Sequence, residues 1–237
     1  MLNLYITSSE KHIGKTFVTA GIAATMQSLG YSTSVYKPIQ TAGKEINGFM
    51  QSPDLTFIKS IDPYINSHFS YLYKSDLEPI IAAESDNETI DTDYVNNEYK
   101  RIITVSECTL LDGDSGILSP IAPNLLVADM IRKINIPILI VTEPGANAVN
   151  NTFMTIAAAL EKGIEVRGVI INNIKNDCPK ELLNAMTRTI EEFTNVKILG
   201  LIPHLVNYNP EDLITAILNG VDIESVFRIR IAKLSDF

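Results

Sequence analysis

The stretch that most constrains this chain is its first thirty residues. An apolar run ending at Ile6 gives way to a short polar loop, and Ile13-Gly14-Lys15-Thr16 then opens an amphipathic stretch over residues 17–29. Strand, loop and helix in that order, with Gly-Lys-Thr at the helix start, is the layout of a phosphate-binding loop. Backbone N–H groups and the positive end of the helix dipole hold phosphate oxygens in such a loop. Lys15 adds a mobile charge for the outer phosphates, and the hydroxyl of Thr16 can ligate Mg²⁺. The pattern's first glycine is replaced by Ser9, which fits the turn if its φ stays negative or if it accepts strain. The alternative is a lysine at the start of an ordinary helix.

The same alternation continues along the chain. Apolar, strand-like runs at 31–36, 108–111, 136–141, 166–171 and 196–202 are separated by helical patterns at 55–61, 94–103, 152–162, 179–193 and 211–218. Residues 67–90 are less regular, 142–151 read as a loop, and the tail beyond Asp222 has no clear pattern. This order predicts an α/β fold, a doubly wound and mostly parallel sheet of the P-loop nucleotide-binding kind. At 237 residues the chain is expected to form one domain over 1–237.

Polar residues at strand ends are the candidates for chemistry, because open parallel sheets bind ligands at their carboxyl edge. Pro38 is expected to stop the second strand and leave Lys37 at its end; a solvated surface lysine is the equal alternative. Asp112-Gly113 follows the run at 108–111, where a carboxylate suits a second Mg²⁺ contact, although Asp-Gly is also a favoured turn pair. Ser52 or Asp54 caps the helix that begins near Leu55, and Asp91 or Asp93 the one that begins near Tyr94.

Composition removes several function classes. A net charge of −9 argues against a nucleic-acid surface, which needs basic patches. No apolar run approaches the roughly 20 residues of a membrane span, and the N-terminus has no basic region or cleavage site of a signal peptide. Cys108 and Cys178 lie far apart, and His12, His68 and His204 lack ligand spacing. Neither a disulfide framework nor a zinc site is expected, and a cytoplasmic protein is.

The run from Thr7 to Thr16, Tyr36-Lys37-Pro38-Ile39, Ser52-Pro53-Asp54, Asp112-Gly113 with Gly116, and Gly168-Val-Ile-Ile-Asn172 resemble, in order and spacing, the motifs of dethiobiotin synthetase. The resemblance spans roughly the first 205 residues. It implies a homodimeric P-loop enzyme that binds ATP, Mg²⁺, CO₂ or bicarbonate, and the diamino acid 7,8-diaminononanoate, and closes the ureido ring of dethiobiotin. It further implies that His12, Ile13, Gly14, Lys15, Thr16 and Phe17 hold the nucleotide phosphates. Asn172 would read the adenine edge, with Pro203 lining the same pocket. Thr16, Asp54 and Asp112 would hold Mg²⁺. Lys37, with Lys15 and Thr41, would form the catalytic set, Lys37 neutralising the carbamate and the transferring phosphoryl group while Thr41 binds substrate. Asn150 would reach the distal carboxylate of the substrate from the partner subunit.

The chain departs from that family at two places. The family's Gly-Thr-Asp-Thr is here Ser8-Ser9-Glu10-Lys11, which puts a cation near the substrate amines. Its Glu-Gly-Ala-Gly-Gly is here Asp112-Gly113-Asp114-Ser115-Gly116, which crowds a place where backbone approaches substrate. Three rival expectations follow. One is a related ATP-dependent ligase or amidotransferase-type synthetase. Another is a ParA/MinD-like regulatory ATPase, whose signature lysine would stand where Glu10 does. The third is a homologue that binds nucleotide without catalysis.

Overall fold

A computed structural model describes residues 2–206 and 208–231. The chain runs β1 (Leu2–Ser8), α1 (Lys15–Ser28), β2 (Thr33–Gln40), β3 (Lys44–Ile46), β4 (Phe49–Gln51), α2 (Pro53–Ile61) and β5 (Asn66–Leu72). Next come α3 (Pro79–Ser85), α4 (Thr92–Ile102), β6 (Cys108–Asp112), β7 (Pro120–Ala122), β8 (Leu125–Leu126), α5 (Val127–Ile134), β9 (Ile138–Thr142) and α6 (Ala148–Glu161). The last part holds β10 (Val166–Ile174), α7 (Lys180–Thr194), β11 (Ile198–Pro203), α8 (Pro210–Gly220) and α9 (Ile223–Phe227).

Strands buried on both faces read as continuous apolar runs, since each face needs its own cover. Leu4, Ile6, Leu139 and Val141 pack on one side with Val18, Ile22, Leu213 and Ile217 of α1 and α8. Tyr5, Ile138, Ile140 and Val169 face the other side with Val95, Ile131, Ile156 and Ile190 of α4 to α7. The seven central strands are all parallel, in the order β11-β10-β9-β1-β6-β2-β5. The chain thus leaves β1 in one direction, returns to β6, and crosses to β9 on the far side of β1. The order reverses beside β1, and the loop that follows β1 opens onto that switch point, where doubly wound sheets bind ligands.

The structure corrects several expectations. β2 does not stop at Pro38. Its pairing with β6 ends at Tyr36↔Leu111, while its register with β5 skips Pro38, which has no N–H to give, and resumes at Ile39↔Tyr71. Lys37 therefore lies inside the strand, beyond the last paired residue of β6. The irregular stretch contains the edge strand β5, whose residues are mostly half-exposed, so no alternation marks it. The β7–β8 hairpin and α5 occupy residues 120–134, where the sequence pattern predicts no element. α6 starts at Ala148, within the expected loop, and α9 occupies part of the tail. Among the described residues no helix is long and apolar enough to cross a membrane.

Candidate active site

The loop after β1 is shaped by two left-handed residues. Ser9 is not one of them: the positive φ values fall on His12 (63°) and Gly14 (83°), and histidine tolerates that region better than most side chains. Ser9 instead ties the loop to the sheet, its N–H donating to Val141 O at 3.0 Å and its hydroxyl to Thr142 Oγ1 at 3.1 Å. Asn172, near the end of β10, donates from Nδ2 to Ile13 O at 2.9 Å. A Cβ at position 14 would displace that same amide nitrogen, and with φ at +83° any side chain there would be strained.

Lys37 sits at the centre of an ionic cluster. It is 1% exposed, and an ammonium has three N–H donors to satisfy. They go to Asp54 Oδ2, Asp112 Oδ2 at 2.8 Å and Gly113 O at 3.1 Å. Burial works against its charge, but Asp112, Asp54 and Asp114 together outweigh burial and hold its pKa above the ordinary lysine value. Asp112 is fully buried and also accepts from Thr16 Oγ1 at 3.0 Å and Thr19 Oγ1 at 2.9 Å. Thr19 was missed in the sequence. Its signal is its place three residues after Thr16, on the same helical face.

Lys15 is buried too, donating to Ser8 Oγ at 3.3 Å and Asp114 O at 3.2 Å. Burial, and then the charge of Lys37, lower its pKa. Ser52, not Asp54, caps α2: its hydroxyl accepts from Leu55 N at 3.0 Å and donates to Gln40 Oε1. That contact pins the start of α2 to the end of β2 and leaves Asp54 free for Lys37.

Two adjoining cavities meet at the loop. A cleft of 570 Å³ is lined by Lys15, Thr16, Lys37, Thr41, Asp54 and Asp114 among others, with Lys11 and Lys44 also on its wall. A second cavity, 390 Å³, shares His12, Gly14 and Phe17 with the first and adds Ile13, Asn172 and Pro203. Asn172 is 3% exposed, and its Oδ1 has no hydrogen-bond partner. The expected residues line one or both cavities, except Asp112, which is fully buried behind the wall against Lys37 and Thr16, and Asn150. Asn150 is exposed in the first turn of α6, where it contacts Asn151 and Met154 and lines neither cavity. Lys11 is half-exposed at the cleft rim, 3.9 Å from Glu78.

Among the described residues no three His, Cys, Asp or Glu side chains gather as a metal-binding group. The oxygen donors that converge are Thr16 Oγ1 and the carboxylates of Asp54 and Asp112, the two acids sharing the Lys37 ammonium. Such an all-oxygen set fits Mg²⁺, which takes one or two carboxylates and fills its shell with water and phosphate.

A model of the AAA domain family matches residues 2–212. The ATP-dependent dethiobiotin synthetase BioD of Bacillus subtilis (strain 168) is 27% identical over 226 residues, 94% of this chain and 96% of the relative. That of Anoxybacillus flavithermus is 28% identical, covering 90% of this chain and 97% of the relative. Among solved structures, the MinD cell division protein of Aquifex aeolicus superposes with a TM-score of 0.60 at 15% identity, over 96% of both chains. The septum site-determining protein MinD of Pyrococcus horikoshii, complexed with Mg-ADP, gives 0.54 at 16% identity, over 90% of this chain and 85% of that one. These likenesses show a shared fold. With the matched family spanning nearly all of the described sheet, the chain belongs to the AAA domain family, as a P-loop protein similar to the dethiobiotin synthetases.

Proposed function

We propose that this chain is an ATP-dependent dethiobiotin synthetase, a cytoplasmic cyclo-ligase that carboxylates 7,8-diaminononanoate with CO₂ and closes the ureido ring. The observation that carries this reading is the pair of buried lysines, Lys15 from the loop after β1 and Lys37 from β2, on the wall of one cleft. In the proposed reaction a neutral amine of the substrate attacks CO₂ and loses a proton to solvent to give a carbamate, whose oxygen then attacks the γ-phosphorus of ATP and expels ADP. The second amine displaces phosphate from the mixed anhydride and closes the ring. No covalent bond to the protein is needed; charge on the carbamate and phosphoryl oxygens must be met by cations already in place. A lysine held above its usual pKa stays charged at neutral pH, so Lys37 acts as a fixed cation and not as a base.

Thr16, Asp54 and Asp112 would hold Mg²⁺, which when bound supplies further neutralisation of phosphate charge. The unpaired Oδ1 of Asn172 would accept from the amino group of adenine, between Phe17 and Pro203 in the smaller cavity. Thr41 would bind substrate in the larger one. Asn150, outside its own cleft, would serve the site of a second copy, so its role requires a homodimer.

The test is phosphate release from ATP with and without 7,8-diaminononanoate and bicarbonate. Release that depends on the diamine is expected; diamine-independent release would favour a regulatory ATPase instead. Lys37→Ala is a poor probe, because a buried ion pair that loses one partner costs about 3–5 kcal/mol and Asp112 would be stranded. Lys37→Gln keeps a donor and removes the charge. It should lower turnover on the order of 100-fold or more, and normal turnover would refute the role of Lys37.

A further inference from the structure

We infer that Asp114, with Thr41, forms a subsite that reads an ammonium group of the substrate. The inference rests on the proposed cleft and deepens it. Thr41 has two protons to give, and Asp114 takes both: the backbone N–H donates to Oδ1 at 3.2 Å and the hydroxyl to Oδ2 at 2.7 Å. Thr41 lines the cleft, and with its hydroxyl proton committed it offers a ligand only lone pairs. Asp114 lines the same wall with its side chain 14% exposed, and a carboxylate has about four acceptor positions, of which Thr41 occupies two.

The pair is therefore an acceptor-only surface, suited to a cationic N–H donor and hostile to a carboxylate or phosphate. Lys37 Nζ stands 3.9 Å from Asp114 Oδ1, an ion pair without a hydrogen bond, so the carboxylate keeps acceptor positions for a donor nitrogen at hydrogen-bond distance. Backbone geometry aims the carboxylate there. Gly113 turns so tightly that a Cβ would fall 2.9 Å from Ile6 O, and Asp114 O is held by Lys15 Nζ at 3.2 Å.

This gives the departure at Asp112-Gly113-Asp114 a purpose. Lys11 adds a cation at the rim of the cleft, and Asp114 adds the carboxylate that keeps an amine favoured inside it. The specificity that results is for an amine over the same carbon chain without one.

The experiment is calorimetric titration with 7,8-diaminononanoate and with nonanoate, on the wild-type chain and on Asp114→Asn, with thermal melting as the check on folding. The wild type should prefer the diamine by at least tenfold. Asp114→Asn should weaken diamine binding roughly 10- to 100-fold, the range for hydrogen bonds to charged groups, and should narrow that preference. Should Asp114→Asn fail to fold, Thr41→Val removes one acceptor and should weaken the diamine about tenfold. Diamine affinity within twofold of wild type in the folded variant, or no diamine preference in the wild type, overturns the inference. Phosphate release is read separately: binding without turnover removes the synthetase reading and leaves the subsite, while turnover unaffected by Asp114→Asn does the reverse.

Discussion

At position 14 a methyl group would meet a left-handed backbone and a neighbouring side-chain amide. Gly14→Ala would meet a φ of +83° and the Asn172 amide at 2.3 Å, displacing the contact that Asn172 makes with Ile13 O. The left-handed strain alone costs about 1–3 kcal/mol. Nucleotide affinity should fall below detection by calorimetry while far-UV circular dichroism stays native; unchanged affinity would show that the loop does not approach the phosphates. Gly14, Lys15 and Thr16 were legible because local geometry imposes those residue types. Thr19 and the Asp114–Thr41 pair were not, since each gains its meaning from a partner at least 73 positions away. Ser9 was expected either to keep a negative φ or to accept strain; it is not among the positive-φ residues, and the left-handed non-glycine residue of the loop is His12.

Among the elements, caps and edges carry the lesson. Asp129 accepts from Leu126 N at 2.9 Å at the start of α5 and from Lys162 Nζ at 2.9 Å. The Leu126 N–H, and then Lys162, hold its carboxyl below the usual carboxylate range. A group whose pKa is depressed by folding stabilises above its unfolded value, about 3.9, and loses that contribution as pH falls through the folded value. Asp129→Asn should therefore cost about 1 kcal/mol at pH 7, with the gap from wild type closing below about pH 4 in urea titrations. A gap that persists at low pH would assign the effect to packing. Helices with caps and apolar faces, such as α2 and α4, were readable within a few residues. β5 was not, because an edge strand with one exposed face needs no strict pattern, and its pairing with β2 is settled across the sheet.

Over the whole molecule, a chain with net charge −9 gathers Lys11, Lys15, Lys37 and Lys44 on the wall of one cleft. A ligand that binds only the folded state stabilises it by about 2.7 kcal/mol at 100 times its dissociation constant. For a chain this long, saturating Mg·ATP should raise the melting temperature by about 5–10 °C, and no shift in differential scanning fluorimetry would count against the nucleotide site.

The amino-acid sequence alone determined the alternation of buried strands with amphipathic helices, and the loop whose Gly-Lys-Thr begins a helix. Those are local properties, set by periodicity and by the backbone freedom of a few residues. Only the tertiary structure decided that Lys37 is a buried cation between two acids rather than a surface lysine. Two strands and a helix must first place Asp54, Asp112 and Gly113 within reach of one nitrogen, and no stretch of chain encodes that distance by itself.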